Sequence, residues 1–207
     1  MKKLLTLLLV IGLKYSHAQL CAGVAYGTFN NPGSVPKFRG MGPSLLLEYS
    51  NEENVELYLN ASFYKKSING YTDPIYDENG QEVGVESMTE SYNYKYLQLG
   101  FKRALAGDFS DTRFNLFAGG GGALGFVNSQ YKYERTGNDA YTEKKNYLIY
   151  GFNFVTGMQC RIKPVTIELK GNLDFSLKPV VGSNEGGYMG AYVFTSLRLG
   201  VFVPITK

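Results

Sequence analysis

A chain of 207 residues is sized for one domain, and its 25 glycines, 17 tyrosines and lack of tryptophan suit strands and turns rather than helices. The formal net charge of +3 comes from Lys2, Lys3 and Lys14; without them basic and acidic residues balance at 18 each, which excludes the basic field that nucleic acid selects. The one histidine is His17, so a chain trimmed behind it has no Ser-His-Asp triad, histidine base or histidine-ligated metal.

Met1–Gln19 reads as a secretion signal. Lys2 and Lys3 form a basic start, residues 4–13 an apolar run, and Ser16-His17-Ala18 a small-residue site before Gln19. The run is shorter than the ~20 residues that span a bilayer. Cys21 follows closely, but Leu20 stands where a lipidation motif wants a small residue, so ordinary cleavage beside Gln19 is expected. Cys21 and Cys160 allow one disulfide in an oxidising compartment, although the strands that carry them are not neighbours.

Eight strands follow, over about 20–29, 42–50, 54–67, 91–105, 112–127, 146–158, 164–177 and 188–204. Their common mark is period-2 alternation. In the third strand Val55, Leu57, Leu59, Ala61 and Phe63 alternate with Glu56, Tyr58, Asn60, Ser62 and Tyr64. In the fourth, Leu97, Leu99 and Phe101 oppose Tyr96, Gln98, Gly100 and Lys102. The fifth contains Gly120-Gly121-Gly122-Ala123-Leu124-Gly125, a literal G-x-G-x-x-G. Here it continues a strand instead of opening a helix, which points to close packing in a barrel and not to a dinucleotide. In the seventh, Val165, Ile167, Leu169, Leu173 and Phe175 face away from Thr166, Glu168, Lys170, Asn172, Asp174 and Ser176.

The connections alternate in length. Those at 51–53, 106–111 and 159–163 are short; those at 30–41, 68–90, 128–145 and 178–187 are long. In an up-and-down meander this places every short turn at one end with both termini, and every long loop at the other, as in transmembrane β-barrels. Loop 68–90 carries Asp73, Asp77, Glu78, Glu82, Glu86 and Glu90 without a Lys or Arg. Its spacing is not that of a calcium loop, and it is expected to be a solvated acidic hairpin with a type I′ turn at Asn79-Gly80. Loop 128–145 mixes charges with Tyr131, Tyr133 and Tyr141, and is expected to extend the strands or meet a protein partner.

The fold class expected is therefore all-β: one eight-stranded antiparallel up-and-down transmembrane barrel over residues 20–207, after a cleaved signal peptide at 1–19. The alternative is a soluble exported lipocalin-like barrel with an apolar ligand inside. The two differ in which face points outward. The polar face is mainly Tyr, Gly, Ser and Asn with few charges, which suits a narrow filled lumen better than a soluble exterior. By parity Glu48, Glu56, Lys102, Arg113, Glu168, Lys170, Asp174 and Arg198 point inward. Four acids against four bases suggest a paired, crosslinked interior, with Glu168 close to Arg198.

The signal ending Ser16-His17-Ala18-Gln19, the glycine-rich strand 117–126 and the closing strand 196–202 resemble those of the outer-membrane β-barrel family of Gram-negative bacteria, the porin-family barrels that include PorT-like proteins. The resemblance implies an outer-membrane, non-enzymatic barrel with lipid around it and a possible protein partner at its outer loops. It implies no catalytic residues, cofactor or metal, and no nucleic acid. Unlike many such barrels the chain does not end on an aromatic residue: Phe202 is followed by Val203-Pro204-Ile205-Thr206-Lys207.

Overall fold

The computed structural model describes residues 19–31, 38–52, 54–109, 113–135, 140–178 and 190–205. Residues 1–18 of the expected signal at 1–19 and parts of the loops at 30–41, 128–145 and 178–187 lie outside them. The described chain forms eight strands: β1 (Gln19–Asn31), β2 (Phe38–Glu52), β3 (Val55–Tyr76), β4 (Glu82–Ala106), β5 (Phe114–Arg135), β6 (Tyr141–Ile162), β7 (Val165–Lys178) and β8 (Gly190–Pro204). Each pairs antiparallel with the next, and β1 pairs with β8 from Cys21↔Pro204 to Asn30↔Thr195, closing the barrel. Closure removes the sheet edges that an open meander would leave unpaired. Gln19 opens β1 opposite Ser50.

The apolar face is outward. Val24, Leu45, Leu57, Leu99, Phe101, Phe126, Phe152, Phe154, Leu169, Leu197, Leu199 and Val201 are all exposed, while the alternate residues are buried. On β4 the outward positions run Lys95, Leu97, Leu99, Phe101, Arg103, so an uncharged band lies between two exposed cations. Tyr26, Phe63 and Tyr150 are among the outward aromatics.

The four middle strands are longer than the alternation shows. β3, β5 and β6 have 22 residues and β4 has 25, against 13 to 15 in the other four. Among the described residues, β2 accompanies β3 only to Met41↔Lys65, and β7 accompanies β6 only to Leu177↔Tyr150. Beyond these points β3–β6 rise together as a four-stranded wing, about 30 Å along the strand for nine residues. Most of the expected loop 68–90 is thus paired strand.

Its tip turns where expected but by different geometry. The Gly80 N–H donates to the Asp77 carbonyl at 3.0 Å, and the Asp77 N–H to Gln81 O at 2.9 Å. Only Gly80, at φ 77°, has a positive φ there. A type I′ turn needs two such residues, so this is a three-residue loop in which Gly80 takes the left-handed position after a type I turn.

Candidate functional site: a capped polar lumen

Inside the barrel the side chains lie in layers. At the short-turn end Phe109, Phe117 and Phe202 are buried, and the Lys102 ammonium lies 5.5, 4.6 and 5.8 Å from their ring centres. Phe109 belongs to the short β4–β5 connection, which folds it under the barrel. At the opposite end Phe29, Tyr64, Tyr94, Tyr96 and Phe194 form a buried cluster with Val127 and Ile149. Phe29 stacks on Tyr64 at 4.6 Å and on Phe194 at 4.8 Å. The polar residues lie between these two apolar caps.

The lower polar layer is a ring around Lys102, which is 0% exposed. Its Nζ lies 2.7 Å from Glu48 Oε1, 3.0 Å from Glu56 Oε2 and 2.5 Å from Glu168 Oε2. Lys170 Nζ adds Glu168 Oε1 at 2.9 Å and Glu48 Oε1 at 3.6 Å, and lies 5.1 Å from the Tyr58 ring centre. Gln159 Nε2 donates to Glu168 at 2.9 Å, Glu48 at 3.3 Å and Glu56 at 3.4 Å. Asn115 Nδ2 donates in turn to Gln159 Oε1 at 3.3 Å. Buried charges are tolerated when paired and hydrogen-bonded in this way. A cavity of about 360 Å³, lined by Gln19, Cys21, Ser50, Arg161, Lys163 and Thr166 among others, opens at the short-turn mouth.

The upper polar layer links Arg198 to Asp174 through an amide. Arg198 donates to Gln98 Oε1, and Gln98 Nε2 donates to Asp174 Oδ1 at 2.6 Å. Arg198 also reaches Ser62 Oγ at 3.1 Å and Ser196 Oγ at 3.4 Å. Tyr58 OH crosses the lumen to Asn153 Oδ1 at 3.2 Å. Glycine makes room for these groups. A Cβ on Gly100 would stand 2.6 Å from Tyr58 OH, and one on Gly119 2.6 Å from Lys102 Cα.

Seven of the eight residues assigned inward by parity are buried in this lumen: Glu48, Glu56, Lys102, Glu168, Lys170, Asp174 and Arg198. Arg113 is the exception. It stands before β5, which begins at Phe114, and its side chain is exposed; parity does not extend past the strand's first residue. The expected proximity of Glu168 and Arg198 also fails. In the β7–β8 register Glu168 faces Gly200 and Lys170 faces Arg198, so Glu168 joins the lysines while Arg198 belongs to the upper layer. Gln159, Gln98 and Phe109 were not singled out by sequence. The signal that could have found Gln159 is the alternation of buried Asn153 and Val155, carried four residues further.

Cys21 is buried inside, whereas Cys160 is partly exposed on the outward face of β6, and both are free thiols. On the wing, Tyr133 stacks on Tyr141 at 4.5 Å, Lys132 pairs with Glu134, Lys145 pairs with Glu143 at 3.1 Å, and Tyr92 OH donates to Glu90 at 2.7 Å. No group of three or more metal-ligating side chains forms among the described residues.

Solved structures share this architecture, two of them at a TM-score of 0.51. Neisserial surface protein A superposes with a TM-score of 0.51 at 12% identity, over 91% of this chain and 97% of that one. The outer membrane protein OprG from Pseudomonas aeruginosa gives 0.51 at 8% identity, over 93% and 98%. No family model matches the chain, and no curated protein matches it. At these identities the likeness is one of fold: an eight-stranded up-and-down barrel of the kind found in small outer-membrane proteins.

Proposed function

We propose that this chain is an integral outer-membrane β-barrel protein without enzymatic activity, exported by its N-terminal signal. The observation that carries the reading is the outward apolar belt, uncharged between Lys95 and Arg103 on β4 and continued around all eight strands. In water such a surface would far exceed the apolar patch that a soluble monomer exposes; in hydrocarbon it is the expected exterior. A lipocalin-like binder requires this face to line the interior, where polar side chains lie instead. The apolar caps and the charged ring fill the lumen, which favours a closed barrel over a channel.

The working surface is then the β3–β6 wing on the long-loop side, facing outward from the cell. Its tyrosines offer broad contact area with a polar tip, which suits a structural, adhesive or secretion-accessory role through a protein partner. Kinship with PorT-like porin-family barrels rests on the sequence features alone.

The test is electrophoresis of washed outer membranes with and without boiling in SDS. A faster-migrating band in the unboiled sample, retained by the membranes, is the expected result. Release by the wash with no mobility shift would refute the reading.

A further inference from the structure

Removing Arg113 from the lumen leaves four buried acids and three bases. The upper layer is balanced, with Asp174 and Arg198 joined through Gln98. The excess therefore sits in the lower ring, where Glu48, Glu56 and Glu168 face Lys102 and Lys170. We infer that this ring carries one resident proton, held by the Glu48–Glu56 pair.

The geometry selects the pair. Glu168 has an ammonium on each oxygen, Lys102 at 2.5 Å and Lys170 at 2.9 Å, and accepts the Gln159 amide at 2.9 Å. It is the fully compensated member. Glu48 and Glu56 both lean on Lys102, at 2.7 and 3.0 Å. Beyond it Glu48 has only the more distant Lys170 at 3.6 Å, and the two share the longer bonds from Gln159. Two carboxylates competing for one ammonium in a space closed by aromatic rings do not both stay ionised. Binding a proton there costs far less than burying an uncompensated charge. The proton belongs to the pair and not to one oxygen.

Ser50 of β2 stands opposite Glu56 and is buried. β1 places Cys21 opposite Glu48, β3 contributes Tyr58, and β5 contributes the uncharged Asn115 and Phe117. β8 contributes Phe202, with Arg198 in the layer above. On β6, Arg161 lies below Gln159, where its guanidinium donates to the Phe109 carbonyl and reaches Gln19 Oε1 at 3.5 Å. The cavity at the mouth is lined by Cys21 and Ser50, the register partners of Glu48 and Glu56.

The experiment is infrared spectroscopy of the full-length protein purified in detergent at neutral pH, reading the carbonyl band of a protonated carboxylic acid. The wild type should show a component amounting to one such group per chain. That component should disappear in both Glu48→Gln and Glu56→Gln, while both variants keep the heat-modifiable mobility of the folded barrel. Lys102→Gln, if it folds, should double it. A component that survives in both glutamine variants would overturn the assignment. So would its absence from the wild type, and its appearance in Arg161→Gln would then identify Arg161 as the charge that balances the ring.

Discussion

Placing an arginine at the middle of the outward belt distinguishes a lipid-facing surface from a watery one. Leu99 is 61% exposed and lies midway between Lys95 and Arg103 on β4. Eight residues at about 3.3 Å each, tilted by about 40°, give a height of ~20 Å between the two cations. That is close to the ~25 Å apolar band of outer-membrane barrels. Leu99→Arg thus sits near the midplane, where arginine costs about 2–4 kcal/mol, or roughly 30-fold to 900-fold in the folding equilibrium. Leu105→Arg, beyond Arg103 at the rim, should cost about 0–1 kcal/mol. If water bathed this face, both substitutions would fall within about 0.5 kcal/mol of neutral. Reversible guanidinium unfolding in phospholipid vesicles measures the difference. Equal, small effects at both positions would refute the membrane orientation.

Other perturbations test the interior and the wing. Lys102→Met strips three buried carboxylates of their shared ammonium and should destabilise the barrel by about 3–5 kcal/mol in the same unfolding assay. Gly121→Ala, whose Cβ would lie 2.1 Å from Leu99 O and 2.5 Å from Gly100 Cα, should cost about 1–3 kcal/mol. Gly122→Ala, with its nearest neighbour at 4.0 Å, should leave the unfolding midpoint nearly unchanged. At the wing tip the Gln81 and Asn79 N–H groups donate to Asp77 Oδ1, each at 2.8 Å, and hold its carboxyl below the usual carboxylate range. Order at the tip should therefore be complete above the usual carboxylate pKa and fade as pH falls through the lower folded value. Lower amide protection factors at Asn79 and Gln81 in acid than at neutral pH would show it.

The strand faces were legible because alternation is a direct readout of the pleat: Val165 to Ser176 separates into two faces without an exception that matters. The same parity placed seven lumen charges, since a residue inside a strand has only two directions to point. It failed at Arg113, where the backbone has left the pleat, and it could not choose partners. Whether Arg198 stands opposite Glu168 or Lys170 depends on a two-residue offset in register that no single strand encodes. The wing was read short for a different reason. Above Lys65, β3 carries Asp73 and Pro74 in place of apolar alternation. Pro74 is tolerated there because β4 alone pairs with that part of β3 among the described residues, leaving proline at an edge. Gln159 and Gln98 carry no charge to attract notice, yet they tie the charged groups together.

The lumen joins residues that are distant along the chain. Lys102 reaches back 54 residues to Glu48 and forward 66 to Glu168; Gln159 reaches 111 residues back to Glu48, and Arg198 reaches 136 back to Ser62. No contiguous fragment therefore contains its own interior, and no half-barrel can be neutralised before the rest arrives. β8 leaves the ribosome after the other seven strands, bringing both Arg198 for the upper layer and Phe202 for the lower cap. Folding dominated by such contacts is slow, and chains waiting for them expose surface that aggregates. The barrel is committed only when its last strand docks, so a chain shortened by that one strand should behave as an unfolded polypeptide and not as a weakened barrel.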